Sequence, residues 1–200
     1  MFDLRTFLVK ERAGLLKLTD TYDIYDPATN EQIAIAKEEI PGFMKLLRLL
    51  INKQIMPTTV NIYEGTEANH PVSPAISIRR GPIFFRSRVE VRGSDGNLSG
   101  YFKQTYFSLG GTFMVFDAHD QQIAEIKGYW KGWNFKITLT GGQEIGVVAK
   151  KWAGLAKEFF TSADNYVITL TDGIDVKPGL VMLLLAAGIA IDTVFKEGNG

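Results

Sequence analysis

Apolar and polar residues alternate with a period of two along most of this chain of 200 residues, the pattern of strands with one face buried and the other wet. In NFKITL (134–139), Phe135, Ile137 and Leu139 share one face while Asn134, Lys136 and Thr138 share the other. NYVITL (165–170) repeats this with Tyr166, Ile168 and Leu170. Between such runs lie compact turn signals, DPATN at 26–30, GSDGN at 93–97, DAHDQ at 117–121 and TGG at 140–142. Asp, Asn and Gly suit these positions because they hydrogen-bond locally or tolerate the left-handed backbone of a tight turn. The segments YDIYDPATNEQIAIAKE, VEVRGSDGNLSGYFKQ, FMVFDAHDQQIAEIKG and FKITLTGGQEIGVVAKKW share this grammar of strand, turn and strand. The last three recur at about 22–23 residues, one hairpin per repeat. The pattern predicts a mainly β chain, an antiparallel sheet of about twelve strands, and a meander that long removes its edges by closing into a barrel.

Three segments depart from the alternation. PGFMKLLRLLINKQIM (41–56) has helical spacing, with Lys45, Arg48 and Asn52 on a narrow polar stripe, and KWAGLAKEFF (151–160) puts Trp152, Leu155 or Ala156, and Phe159 on one helical face. The third, GLVMLLLAAGIAIDTVF (179–195), is apolar all round from Leu180 to Ile191. Its clean run falls short of the about 20 residues that cross a bilayer. Gly188 interrupts it and Asp192 closes it, while Pro178 and Gly198 stand where helix ends favour them. A helix without a polar face needs protein on every side. The expectation is a single domain over 1–200, with a helix at 179–196 through the barrel axis; a membrane tail anchor is the alternative.

Composition narrows the chemistry. Twenty-two basic residues balance twenty-two acidic ones, so a polyanionic partner must be met by local clustering rather than by net charge. Without cysteine there is no disulfide, thiol nucleophile or cysteine-ligated metal. The opening MFDLRTFLVKERAG lacks the uninterrupted apolar stretch of a secretory signal, and a cytoplasmic location is the expectation. Asn97-Leu98-Ser99 reads as a turn rather than as a glycosylation site. The two histidines, His70 and His119, lie in separate turn-like stretches with no second ligand at metal spacing. Ser108 lacks the upstream glycine of a nucleophile elbow, and no phosphate-binding glycine motif occurs. No catalytic constellation, metal site or cofactor site is predicted, and the chain reads as non-enzymatic.

The segment SIRRGPIFFRSRVEVRG (77–93) concentrates arginine. As a strand, 83–92 would put Phe84, Arg86, Arg88, Glu90 and Arg92 on one face and Ile83, Phe85, Ser87, Val89 and Val91 toward the core. With Arg79 and Arg80 just upstream this makes a candidate phosphate-seeking ridge, since guanidinium groups bind phosphate through paired donors. The competing reading is an ordinary charged outer face that discourages edge pairing. Overall neutrality and the lack of a nucleic-acid module argue against nucleic acid.

GYWKGWNFKITLTGGQEIGVVAKKWAGLAKEFFTSADNYVITL (128–170) with the apolar terminal segment resembles the phospholipid scramblase and LURP-one-related families, which group with the C-terminal domain of Tubby proteins. The resemblance is strongest over 113–195, and KKWAGLAKEFFTSADNY is its most specific piece. It implies a twelve-stranded barrel around a central apolar helix. It further implies anionic phospholipid or phosphoinositide as the ligand. Together with the arginine ridge, the expectation is headgroup binding through Arg79, Arg80, Arg86, Arg88 and Arg92, peripherally at a membrane. The alternatives it leaves are lipid scrambling with the terminal helix in the bilayer, and a scaffold for an unknown protein partner. The calcium-loop segment of scramblases aligns with SADNYVITLTDG (162–173), where Ser162 and Gly173 replace acidic ligands and Val167 stands where such a loop needs glycine. The alternation there favours a strand.

Overall fold

The computed structural model describes residues 1–12, 19–40, 42, 56–81, 88–104, 111–129, 133–150, 165–174 and 177–195. Among them twelve strands form: β1 (Thr6–Glu11), β2 (Thr21–Asp26), β3 (Glu31–Glu39), β4 (Thr58–Glu64), β5 (Ile76–Arg80) and β6 (Arg88–Gly93), then β7 (Leu98–Gln104), β8 (Thr112–Asp117), β9 (Gln122–Tyr129), β10 (Asn134–Leu139), β11 (Glu144–Ala149) and β12 (Asn165–Leu170). Helix α1 (Pro178–Phe195) follows. Each strand pairs antiparallel with its neighbour in sequence, and β1 pairs with β12 to close the barrel. Closure leaves no ladder edge exposed. The segments predicted as helices at 41–56 and 151–160 lie outside the described residues, apart from Gly42, which is helical, and the buried Met56.

The four repeated hairpins share a structural cause. Each carries a register shift beside its turn, between Ile24 and Tyr25, Val91 and Arg92, Val115 and Phe116, and Ile137 and Thr138. A bulge at that place adds the twist by which the sheet curls. Three of the four turns are held by aspartate: Asp117 accepts hydrogen bonds from the backbone N–H of His119 and Gln121, Asp26 from that of Ala28, and Asp95 from that of Asn97. His119 is thereby explained as a turn residue.

Helix α1 lies inside the barrel. From Val181 to Asp192 every residue except Met182 is buried, and its apolar side chains join one cluster with Phe7, Ile24, Ile62, Val91, Val115, Ile137 and Ile168 from strands around the ring. The helix touches β12 on one wall and β5, β6 and β7 on the wall opposite, which only a threaded element can do. Glycine makes the approach close: a Cβ at Gly100 would stand 3.0 Å from Leu183 Cδ2, and one at Gly188 would stand 2.3 Å from Ile168 Cδ1. Among the described residues no helix is long and apolar enough to cross a membrane.

Residues 165–170 form the predicted strand rather than a loop, paired with β1 and β11. The simple alternation understates its burial, because all six residues are buried. Outward-facing Val167 sits opposite Leu8 and Ala149, which are buried too, so this part of the wall is covered on both sides.

The β4–β5 connection straps the outer surface of β1 to β4. Glu67 takes Lys37 Nζ at 2.6 Å and Arg12 Nη1 at 3.0 Å, while Arg12 also pairs with Asp23 at 2.8 Å. His70 packs on Tyr63 with ring centroids 4.8 Å apart. Its Nδ1 lies 2.9 Å from Pro71 O and its Nε2 3.0 Å from Lys37 Nζ. A carbonyl can only accept, so Nδ1 carries the proton and Nε2 accepts from the ammonium. The hydrogen bond from Lys37 is the main cause holding the Glu67 carboxyl below its ordinary range. Being lowered in the folded state, it stabilises the strap above the ordinary carboxylate range and ceases to do so as pH falls through its folded value. Glu67 is half exposed, so the expected result is local. Hydrogen-exchange protection of 66–70, corrected for intrinsic rates, should fall below about pH 4 while β10 and β12 stay protected.

Candidate functional site

The outer faces of β5 to β8 bring the arginine-rich segment together with groups distant in sequence. Val89 and Val91 turn into the core and Arg88, Glu90 and Arg92 turn outward, as strand geometry requires of alternate residues. Across the ladder Glu90 stands opposite Arg79 on β5 and Tyr101 on β7. Arg88 stands opposite Lys103, and Tyr101 opposite Phe116 on β8. Four cations, Arg79, Arg88, Arg92 and Lys103, therefore surround Glu90.

The contacts order this face. Glu90 Oε2 accepts a hydrogen bond from Arg92 Nη2 at 2.9 Å, and Glu90 Oε1 lies 3.3 Å from Arg88 Nε. The second is an ion pair without hydrogen-bond geometry, since Arg88 Nε donates to no group. The Arg88 guanidinium lies over the Tyr101 ring, 3.8 Å from its centroid. Tyr101 stacks on Phe116 with centroids 4.9 Å apart and planes 9° from parallel. Lys103 Nζ reaches over both rings, at 5.0 and 4.9 Å. The Tyr101 hydroxyl donates to Asp120 Oδ1 at 2.8 Å; burial first, and this bond second, push its pKa up, so it stays a neutral donor. A guanidinium and an ammonium held on aromatic faces lose less side-chain freedom on meeting an anion than free ones would.

The structure divides the five predicted arginines. Arg79, Arg88 and Arg92 share the outer face, with Arg79 exposed. Arg80 points the other way: it is buried and donates through Nη2 to Met56 O at 3.1 Å and Thr58 Oγ1 at 3.2 Å. The parity that sends Ile76 and Ile78 inward sends Arg80 with them. Arg86 lies outside the described residues, as do Phe84 and the rest of 82–87. Lys103, Tyr101 and Phe116 are the residues that the sequence reading missed. Lys103 was within reach of it, since counting back across the 93–97 turn with one bulge puts it opposite Arg88.

Among the described residues, a second concave place suits an anion less well. A cleft of about 290 Å³ on β1, β11 and β12 is lined by Thr6, Thr169, Glu144 and Asp172, which repel phosphate or only weakly attract it. Among the described residues no group of three His, Cys, Asp or Glu side chains converges as metal ligands would.

Comparison with known proteins points one way. The family model described as Scramblase matches residues 78–198. Phospholipid scramblase 2 of Homo sapiens is 30% identical over 116 residues, 54% of this chain and 38% of that protein. Phospholipid scramblase 1 of Mus musculus is 29% identical over 119 residues, 56% of this chain and 36% of the relative. Phospholipid scramblase family member 5 of Homo sapiens is 25% identical over 120 residues, 56% and 44% of the two chains. The chain thus spans less than half the length of each of these relatives. No solved structure matches it.

Proposed function

The chain belongs to the scramblase family, and from that premise we propose that the outer face of β5 to β7 binds anionic phospholipid headgroups, peripherally and without a catalysed step. The observation that carries this is the ring of Arg79, Arg88, Arg92 and Lys103 around Glu90. Phosphate is the anion that such a set suits, because guanidinium offers paired donors to two oxygens at once. The names of the relatives, phospholipid scramblases, make phospholipid the first source of phosphate to test. Phe116, partly exposed beside the cations, adds aromatic surface of the kind favoured at a membrane interface. The surface richest in anionic headgroups is the cytoplasmic leaflet, and the reading puts the chain there. In this reading α1 stays inside the barrel while the wall meets the lipid.

Co-sedimentation with vesicles tests it. The protein should bind phosphatidylcholine vesicles containing phosphatidylserine or phosphatidic acid and leave pure phosphatidylcholine in solution. Binding should weaken steeply between about 0.05 and 0.5 M salt, as the screening length shrinks below about 10 Å. Equal sedimentation with neutral vesicles, or binding indifferent to salt, would remove the proposal.

A further inference from the structure

Resting on that headgroup reading, we propose that Glu90 is a built-in competitor of the headgroup and biases the face toward doubly charged phosphomonoesters over singly charged phosphodiesters. Glu90 occupies the place between Arg88 and Arg92 that a bound anion would take, with an oxygen toward each guanidinium at 3.3 and 2.9 Å. Neither arginine is free to turn to a ligand elsewhere. Arg88 lies on the Tyr101 ring, and Arg92 Nη1 donates to Gly96 O at 3.1 Å. An incoming phosphate must displace the carboxylate or share the arginines with it.

Charge decides that competition. A phosphodiester headgroup such as phosphatidylglycerol brings one negative charge, the same as Glu90. Exchanging one for the other leaves the number of ion pairs unchanged, and Glu90 has the advantage of being tethered in place. A phosphomonoester carries about −1.5 to −2 near neutral pH and three strong acceptor oxygens, so it can replace Glu90 and still attract a further cation. Two stand ready, Arg79 opposite Glu90 and Lys103 opposite Arg88. Glu90 also leaves the guanidinium groups incompletely served, since the Nε atoms of Arg88 and Arg92 have no hydrogen-bond acceptor. A tetrahedral acceptor with three oxygens can satisfy donors that a planar carboxylate misses.

The test uses vesicles of phosphatidylcholine with either phosphatidic acid or phosphatidylglycerol, matched in surface potential and held slightly above neutral pH. The wild-type chain should prefer phosphatidic acid by about fivefold, the factor that about 1 kcal/mol represents. Glu90→Gln should narrow that preference by binding phosphatidylglycerol more tightly. Glu90→Ala should move it the same way, which separates loss of charge from any local effect of the glutamine. Equal wild-type binding to the two vesicles, or a preference unchanged in both variants, overturns the inference. Vesicle binding unaltered in Arg88→Glu/Arg92→Glu would instead remove the underlying headgroup reading. Glycerol 3-phosphate at millimolar concentration should displace the protein from phosphatidic acid vesicles, and a phosphodiester of glycerol should not. Tighter binding to glycerol 3-phosphate in free solution than to vesicles would assign the site to a soluble ligand and overturn the lipid source.

Discussion

Replacing Leu185 by alanine is expected to lower the unfolding free energy by about 3–5 kcal/mol, toward the upper end of the range for deleting a buried leucine side chain. The size follows from what surrounds it. Leu185 has no exposed surface and lies in the run of α1 that is buried on all sides. The cost of such a truncation depends on how far the neighbours relax into the space left behind. Here the wall is a closed ring of hydrogen-bonded ladders, whose strands cannot close inward without breaking register, so most of the cavity should persist. Urea unfolding should show an earlier midpoint with an unchanged slope. Alanine at the exposed Tyr129, also on the barrel, should change stability by no more than about 0.5 kcal/mol. A Leu185→Ala variant as stable as that control would mean that the helix does not thread the barrel in solution.

The helix was legible in the sequence because its message is local: an apolar stretch with no polar face, too short to span a bilayer, has few places to go. The hairpins were legible for the same reason, since period-two alternation and Asp, Asn or Gly turns sit within a few residues of one another. Phe135 and Ile137, read as one face of NFKITL, are both fully buried inside the barrel. What the sequence concealed depends on partners far along the chain. The double burial of β12 arises from what lies against Val167, Leu8 and Ala149, and nothing within NYVITL announces it. The stack of Tyr101 on Phe116 rests on the β7–β8 register, and no two-residue turn signature fixes that connection. Arg80 is a different case. Strand parity alone, with Ile76 and Ile78 inward, separates it from Arg79, and reading Arg79 and Arg80 as one patch set that parity aside. The candidate site was therefore half legible: the arginine strand could be read, while the lysine and aromatic strand beside it needed the register.

Charge reversal at Arg79, Arg92 and Lys103 together should abolish binding to anionic vesicles. Each basic side chain close to an anionic membrane contributes about 1 kcal/mol, so neutralising three would cost about 3 kcal/mol, or more than a hundredfold in affinity. Glutamate in their place adds repulsion to that loss. Arg88 is left alone on purpose, because its guanidinium covers the Tyr101 ring and its loss would disturb packing as well as charge. The three chosen residues point outward: Arg79 and Lys103 are exposed, and Arg92 is partly so. Glu90 would keep its ion pair with Arg88 but lose the one with Arg92 and face a like charge at position 79. The denaturant midpoint should therefore fall modestly while the barrel stays folded. The measurement is the vesicle-bound fraction across a lipid titration, with the denaturant midpoint of the same preparation beside it. Binding that survives in a stably folded triple variant would show that lipid meets the protein elsewhere, and the cations on β5 to β7 would then be an ordinary solvated face.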